Sequence, residues 1–260
     1  TYTFKADDMT DAGSRQGTIT ISAADGSEVT PCVITVDQSY DGGRTPICTG
    51  KWTFDDAANI FTSTEGNATL TPYLVGDDGT LTLVDDPKNA NVLPIAGPTD
   101  ANKAITLERG TCFKLGVNEA SQLSNYTIQY DVRMSSFSQY HGLLQTTLAN
   151  NDDADIFINR NAQVGLGVAG FGYSGQLNTD TWYRITLVVT NGYVSIYLDG
   201  DLLKTATDLA DNRWMMDKTG AMLFCDNDGE IDTIDIAELD FWNSALTSKE
   251  IEKIGKIALK

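Results

Sequence analysis

From Tyr126 onward the chain alternates between apolar and polar side chains with a period of two. Ile128, Tyr130, Val132 and Met134 lie between Gln129, Asp131 and Arg133, which is the pattern of a strand with one face buried and one face polar. Two β-rich runs, Trp182–Thr190 and Tyr193–Leu198, flank Asn191-Gly192, a dipeptide that readily takes the left-handed backbone of a two-residue hairpin turn. In the second run Val194, Ile196 and Leu198 alternate with Tyr193, Ser195 and Tyr197, and Asp199-Gly200 signals another turn before Leu202-Leu203. Leu143-Leu144, Ile156–Ile158, Val164–Val168, Ala221–Cys225 and Ile234–Trp242 read as further strands bounded by glycine or polar turns. Upstream, Trp52–Asp56, Ala68–Val75, Thr80–Val84 and Ala104–Leu107 have the same punctuation. Strands at such spacing predict an all-β sandwich of two antiparallel sheets.

One helix interrupts this pattern. Thr247-Ser248-Lys249-Glu250 has the form of a capping box, in which the threonine serves an early helix amide and the glutamate reaches back. The helix it starts is expected to run to about Gly255.

The first 49 residues read separately. Thr18–Ile21 passes through Ala24-Asp25-Gly26-Ser27 into Val29–Val36, a terminal hairpin, and so short a unit buries little surface unless it docks or belongs to a larger domain. Ser39–Gly50, with Asp41-Gly42-Gly43-Arg44-Thr45-Pro46, is the turn-rich linker, so the boundary is placed between segments 1–49 and 50–260.

Composition narrows the function. The 260 residues are 41% hydrophobic, enough for a packed interior. With 18 basic and 36 acidic side chains the net charge is -18, which repels phosphate backbones and excludes nucleic acid as an expected partner. No apolar run approaches the roughly 20 residues of a membrane-spanning helix, and no basic leader precedes an apolar segment, so no direct membrane insertion is expected and any export signal is absent from this stretch. Cys32, Cys48, Cys112 and Cys225 lack the spacing of zinc sites; four cysteines permit three pairings, and sequence leaves the state of Cys32 and Cys48 open. Cys112 and Cys225 fall inside strand-like runs and read as buried thiols.

Three runs toward the C-terminus are similar to the laminin-G-like branch of the concanavalin A-like lectin/glucanase sandwiches. They are Trp182-Tyr183-Arg184-Ile185 with Tyr197-Leu198-Asp199-Gly200, then Leu223–Glu230, and finally Ile234–Thr247, which ends in Trp242-Asn243-Ser244-Ala245-Leu246-Thr247 before the capped helix. The resemblance covers Trp52–Gly255 and implies a jelly-roll fold, a secreted or cell-surface setting, and a non-catalytic module that binds glycan or an extracellular protein, in some members with structural calcium. The first segment resembles the closing strands of BACON-type bacterial Ig-like modules, on Gly17–Ile21 and Val33–Gln38.

Against this background the candidate chemistry is as follows. Asp226, Asp228, Glu230 and Asp232 form the densest acidic cluster; hard oxygens in a glycine-containing turn suit calcium, though not in EF-hand spacing, since Phe224 stands where the first aspartate belongs. Where many relatives place a calcium-holding aspartate, this chain has Ala237, with Asp235 two residues earlier. Glu230 and Asp235 come close to the Glu-x-Asp-x-x-Glu run of retaining glucanases on this fold, with a shortened last side chain, so a glycoside hydrolase is the rival to a binding module. Sugar recognition needs exposed rings beside amides and carboxylates. Tyr140, Phe171 and Tyr173, with Asn151 and Asp152, are the candidates for that edge; Phe171 and Tyr173 have the alternative role of capping the sandwich. Trp182, Tyr197, Phe241 and Trp242 are assigned to packing. His141, the single histidine, excludes a two-histidine zinc site and reads as a surface or hydrogen-bonded side chain. The remaining reading is a structural or protein-interaction module.

Overall fold

A computed structural model describes residues 13–21, 32–40, 46–76, 78–167, 171–206 and 212–257. The chain divides into two compact units, 1–45 and 46–260. In the first, Gly13–Ile21 pairs antiparallel with Cys32–Tyr40, and Ile21, Val33, Ile34 and Val36 are exposed. The turn expected at Ala24–Ser27 and the middle of the Ser39–Gly50 linker lie outside the described residues.

The second unit is a sandwich of two antiparallel sheets. One sheet runs Asp201–Thr205, Tyr193–Leu198, Tyr183–Thr190, Tyr126–Arg133, Ile234–Trp242, Gly50–Trp52 and Glu65–Gly66, with Lys103–Leu107 and then Val92–Ala96 added beside the first half of Ile234–Trp242. The facing sheet runs Gly172–Ser174, Val164–Leu166, Ile156–Ile158, His141–Gln145, Gly220–Leu223, Thr111–Gly116, Thr69–Val75 and Leu81–Leu83. The Asn191-Gly192 turn forms as expected: both residues are left-handed, at φ 52° and 80°, and Thr190 sits opposite Tyr193. Asp199-Gly200 repeats the geometry at φ 52° and 89°.

The period-two pattern fills the space between the sheets. Tyr126, Ile128 and Tyr130 from one sheet meet Phe113, Leu143, Ile156 and Leu223 from the other, all fully buried. Each large apolar side chain removed from water contributes roughly 1.5–3 kcal/mol. The two buried tyrosines are satisfied as well as buried: Tyr126 donates to the Trp214 carbonyl at 2.8 Å, and Tyr130 crosses the sandwich to the Leu143 carbonyl at 3.2 Å.

The polar face of the same strands is not left to water. Thr247 caps the helix Ser248–Ile254, and Gly255 ends it at φ 65°. Ile251 of this helix packs with Cys48, Val188, Tyr197, Trp242 and Leu246 on the outside of the first sheet, while Ile257 packs with Ala104, Trp182 and Ala237. Of the four aromatics assigned to packing, only Phe241 lies in the central layer; Trp182, Tyr197 and Trp242 form this second, outer layer.

Between those apolar contacts lies a ladder of buried charge. Arg184 grips Asp131 through Nε and Nη2 at 2.7 and 2.6 Å, and its Nη1 donates to the Ile254 carbonyl at 3.2 Å. Lys51 reaches Glu238 at 2.7 Å and Asp240 at 3.1 Å, and Gln129 donates to Asp240 at 3.0 Å. Burial pushes the Asp131 carboxyl up to about 6, against the pull of Arg184. Burial also works against the Lys51 ammonium, but Asp240 and Glu238 hold it protonated above the usual lysine range.

Candidate functional site: an acidic turn beside a tyrosine pair

The acidic cluster owes its position to a break in a strand. After Gly220–Leu223, Phe224 adopts φ 58° and sends its ring into the core, edge-on to Tyr130 at 5.4 Å and Phe113 at 6.1 Å. The chain that follows is turned outward. Asp226 is fully buried and accepts from the backbone of Ala154 at 3.0 Å and of Asp228 at 3.2 Å. Gly229, at φ 86°, closes the turn.

One carboxylate oxygen from each of Asp226, Asp228 and Glu230 falls within 4.8 Å of the others. Burial, and then its neighbour Asp228, push Asp226 up to about 6. Glu230 is raised by burial and by Asp226, Asp228 and Asp153, with Arg160 opposing. Three hard oxygen donors held this closely fit the ligand chemistry of calcium, which takes 6–8 oxygens and completes its shell with carbonyls or water. Asp232, expected as a fourth member, is not gathered with them. Its carboxylate caps the Thr233 amide at 2.8 Å and its own N–H donates to His141 Nδ1 at 2.7 Å, because the chain is already entering the next strand.

That contact stitches the turn to the strand His141–Gln145. The Gly142 amide donates to the Glu230 carbonyl at 2.9 Å, and a Cβ at Gly142 would come within 2.4 Å of the Cys225 carbonyl, so only glycine lets the two segments approach. His141 is buried, and burial lowers its pKa to about 3. Nδ1 accepts, so Nε2 carries the hydrogen, and that atom is buried without a partner.

Tyr140 precedes this strand and meets Tyr173 from Gly172–Ser174, with ring centroids 6.2 Å apart and planes inclined by 58°. Phe157 supports Tyr140 edge-on at 6.1 Å, and the Arg160 guanidinium lies 5.5 Å from the Tyr140 ring while donating to Gln139 at 3.1 Å. Both tyrosines are half-buried. Burial, then Tyr140, Glu230 and Asp153, push the Tyr173 hydroxyl up to about 12. The tyrosine pair and the acidic turn therefore share one electrostatic environment.

Other expected site residues fall elsewhere. Phe171 is 3% exposed; its ring lies 5.2 Å from that of Trp214 and under the Lys204 ammonium at 5.3 Å, so it offers no free face. It caps the sandwich. Asn151 and Asp152 are exposed and line a hollow of about 290 Å³ with Gln145, Asp153, Asp155 and Arg213, of which Asp153 also acts on Tyr173. A wider concavity, about 600 Å³, is a polar trough on the outer face of the second sheet, with Thr71, Tyr73, Lys114 and Glu119 on its walls. No sequence signal marked it, since its side chains come from strands far apart in the chain. Arg160 and Asp153 also join the tyrosine edge only through folding.

The carboxylates of the rival hydrolase reading are differently employed. Asp235 accepts from the Thr106 hydroxyl at 2.6 Å and from Arg133 at 2.9 and 2.7 Å. Glu230 answers instead to Asp226, Asp228, Asp153 and Arg160. A retaining pair needs two carboxyls about 5–5.5 Å apart across one bond, and this arrangement gives that reading no support.

Two packed antiparallel sheets with one short C-terminal helix define a concanavalin A-like β-sandwich. The chain belongs to the concanavalin A-like lectin/glucanases superfamily, whose laminin G profile matches residues 109–252, more than half of its length. No curated protein matches the sequence. Among solved structures, domain 4 of AbnA, a GH43 extracellular arabinanase from Geobacillus stearothermophilus in complex with arabinotriose, is 17% identical with a TM-score of 0.52, over 82% of this chain and 100% of that one. A Trypanosoma rangeli sialidase in complex with 2,3-difluoro-KDN is 15% identical with a TM-score of 0.48, over 58% of this chain and 27% of that one. The binding domain of Paraclostridial Mosquitocidal Protein 1 is 14% identical with a TM-score of 0.48, over 71% and 51%. At these identities the likeness is one of fold.

Proposed function

We propose that this chain is a non-catalytic carbohydrate-binding module of a secreted or cell-surface protein, and that its binding edge is Tyr140 and Tyr173 beside the Asp226–Glu230 turn. The observation that carries this reading is the meeting of a half-exposed ring pair with a cluster of hydrogen-bond acceptors at one end of the sandwich. Tyrosine faces pack against sugar C–H surfaces, while carboxylates, the Gln139 amide and Arg160 suit hydroxyl groups. Asp226, Asp228 and Glu230 are the residues to hold calcium, which would offset their mutual repulsion and order the turn beside Tyr173. The arabinotriose-bound domain of similar fold makes short arabinan chains the first ligands to try.

The test is titration calorimetry and a glycan array, with calcium and with chelator. Binding is expected, and Tyr173→Ala is expected to weaken it about tenfold, the equivalent of ~1.4 kcal/mol. Lys114→Ala, in the trough on the outer face of the second sheet, is expected to leave it unchanged. An array silent under both conditions would count against a glycan ligand and favour the second reading, a protein-interaction module. That second reading draws on the first unit, whose hairpin leaves four large apolar side chains exposed, as the closing strands of a BACON-type Ig-like module would if their partner strands lay elsewhere.

A further inference from the structure

Two buried thiols are used by nothing described so far. Cys112 lies in Thr111–Gly116, where Phe113 is paired with Leu223, so Cys112 runs alongside the residues that follow Leu223. The left-handed turn at Phe224 puts that ring in the core and Cys225 on the opposite side of the sheet. There Cys112, Cys225 and Met222 form a closed cluster walled by Tyr73, Val75, Leu81 and Leu148. Both cysteines are fully buried and free, and they pack in the same small cluster on one side of the sheet. The Cys225 thiol also donates to Asn150 Oδ1 at 3.4 Å. Asn150 is held at φ 44°, and its amide nitrogen reaches the carbonyls of Gly79 at 2.7 Å and Asp226 at 3.4 Å. The thiol pair thus sits at the root of the acidic turn.

We propose that Cys112 and Cys225 are a redox pair that closes into a disulfide, tying the strand Thr111–Gly116 to the base of the Asp226–Glu230 turn. With glutathione disulfide as oxidant, the thiolate of one cysteine attacks its S–S bond and releases one glutathione thiolate, leaving a mixed disulfide. The second cysteine, losing its proton, attacks the protein sulfur of that mixed disulfide and releases the second glutathione. Two protein thiols are oxidised by two electrons, one glutathione disulfide is reduced to two thiols, and two protons pass to solvent or to the leaving thiolates. Burial raises the Cys112 thiol well above its ordinary range, so closure belongs to folding or to local opening.

The other cysteines serve as internal controls. Cys48 is enclosed in a different cluster that holds no second cysteine among the described residues, and Cys32 is exposed. The inference stands apart from any ligand, since its readouts are covalent and thermal.

The full chain should be refolded in a buffer of reduced and oxidised glutathione and compared with the same chain kept in reductant. Intact mass is expected to fall by about 2 Da at this pair, and non-reducing peptide mapping to recover Cys112 linked to Cys225. The cross-link closes a loop of over a hundred residues, so the melting temperature is expected to rise by about 5–10 °C. Amide exchange over Asp226–Glu230 is expected to slow in the oxidised form. Cys112→Ala and Cys225→Ala should each abolish the thermal shift, but the decisive measurement is the mapping of the unmutated chain, which needs neither variant to fold. Mapping that finds both residues as thiols, or either capped by glutathione, overturns the pair; a disulfide with unchanged exchange in the turn overturns its coupling to that turn.

Discussion

Among the described residues two dense groups of carboxylates stand out, and the same residue type is treated in opposite ways. On the outside of the first sheet, Asp131, Glu238 and Asp240 are threaded by Arg184 and Lys51 and roofed by the C-terminal helix. At the end of the second sheet, Asp226, Asp228 and Glu230 crowd one another, and the cation that acts on Glu230, Arg160, is placed over the Tyr140 ring. Acidity alone therefore does not mark a site. What separates the two groups is ion pairing: Arg184 and Lys51 bond directly to the first, while among the described residues no ion pair reaches the second, and there something from outside can lower the energy.

The comparison breaks most sharply at Arg184. Arg184→Ala leaves Asp131 buried with no guanidinium, a change that costs about 3–5 kcal/mol in comparable buried pairs, measured by urea unfolding at pH 7.5. The loss should shrink at pH 5, where Asp131 can take up a proton instead. A loss under 1 kcal/mol at pH 7.5 would mean that the ladder is as wet as the turn.

His141 tests the stitch between the acidic turn and the sheet. Its folded pKa, about 3, lies below its ordinary 6.5, so on acidification the unfolded chain binds a proton that the folded chain refuses. Stability from this group is intact above pH 6.5 and declines toward pH 3 at ~1.4 kcal/mol per pH unit. Relative to His141→Gln, the native protein should lose about 2.3 kcal/mol between pH 6.5 and 4.5. Parallel pH profiles would show that the ring is not sealed.

Asp226 carries the opposite sign. Its folded pKa, about 6, is above the ordinary 3.8, so its contribution is favourable below pH 3.8 and is lost as pH rises through 6. Asp226→Asn should therefore raise stability at pH 8 in chelator by about 1 kcal/mol, after the weaker acceptor it provides for Ala154 is allowed for. The gain should vanish near pH 4. The same variant should lose any calcium-induced rise in melting temperature. If it is less stable than the native chain in chelator, the turn is self-sufficient and resembles the ladder after all.

How far the sequence discloses this follows from the range of the interactions involved. Alternation along Tyr126–Arg133 and the turn at Asn191-Gly192 are local, and both predict what forms. The Asp226–Glu230 cluster is also local, contained in five residues. Tyr140 and Tyr173 are legible as candidates but not as partners, because a strand pairing, not spacing, sets them 6.2 Å apart. Phe171 illustrates the limit: a ring between glycines can face either way, and Trp214, 43 positions along, decides it. Gln129 and Asp131 read as a wet face for the same reason, since the helix that roofs them arrives more than a hundred residues later.

The helix itself provides the mildest test. Thr247 accepts from the Glu250 amide while the Glu250 carboxylate takes the Thr247 N–H at 2.8 Å, so Thr247→Ala removes one half of the box and leaves the other. The expected global cost is about 0.5–1 kcal/mol. Its value lies in where that cost is felt. If the helix is a roof over the charge ladder, fraying its first turn should loosen Ile251 from Trp242 and Val188 and hasten exchange at Arg184 and Asp240 amides, while the amides of Asp226–Glu230 keep their native rates. Equal acceleration at both places would mean that the two acidic groups belong to one cooperative unit and that the cation supplied to one of them is not what sets it apart.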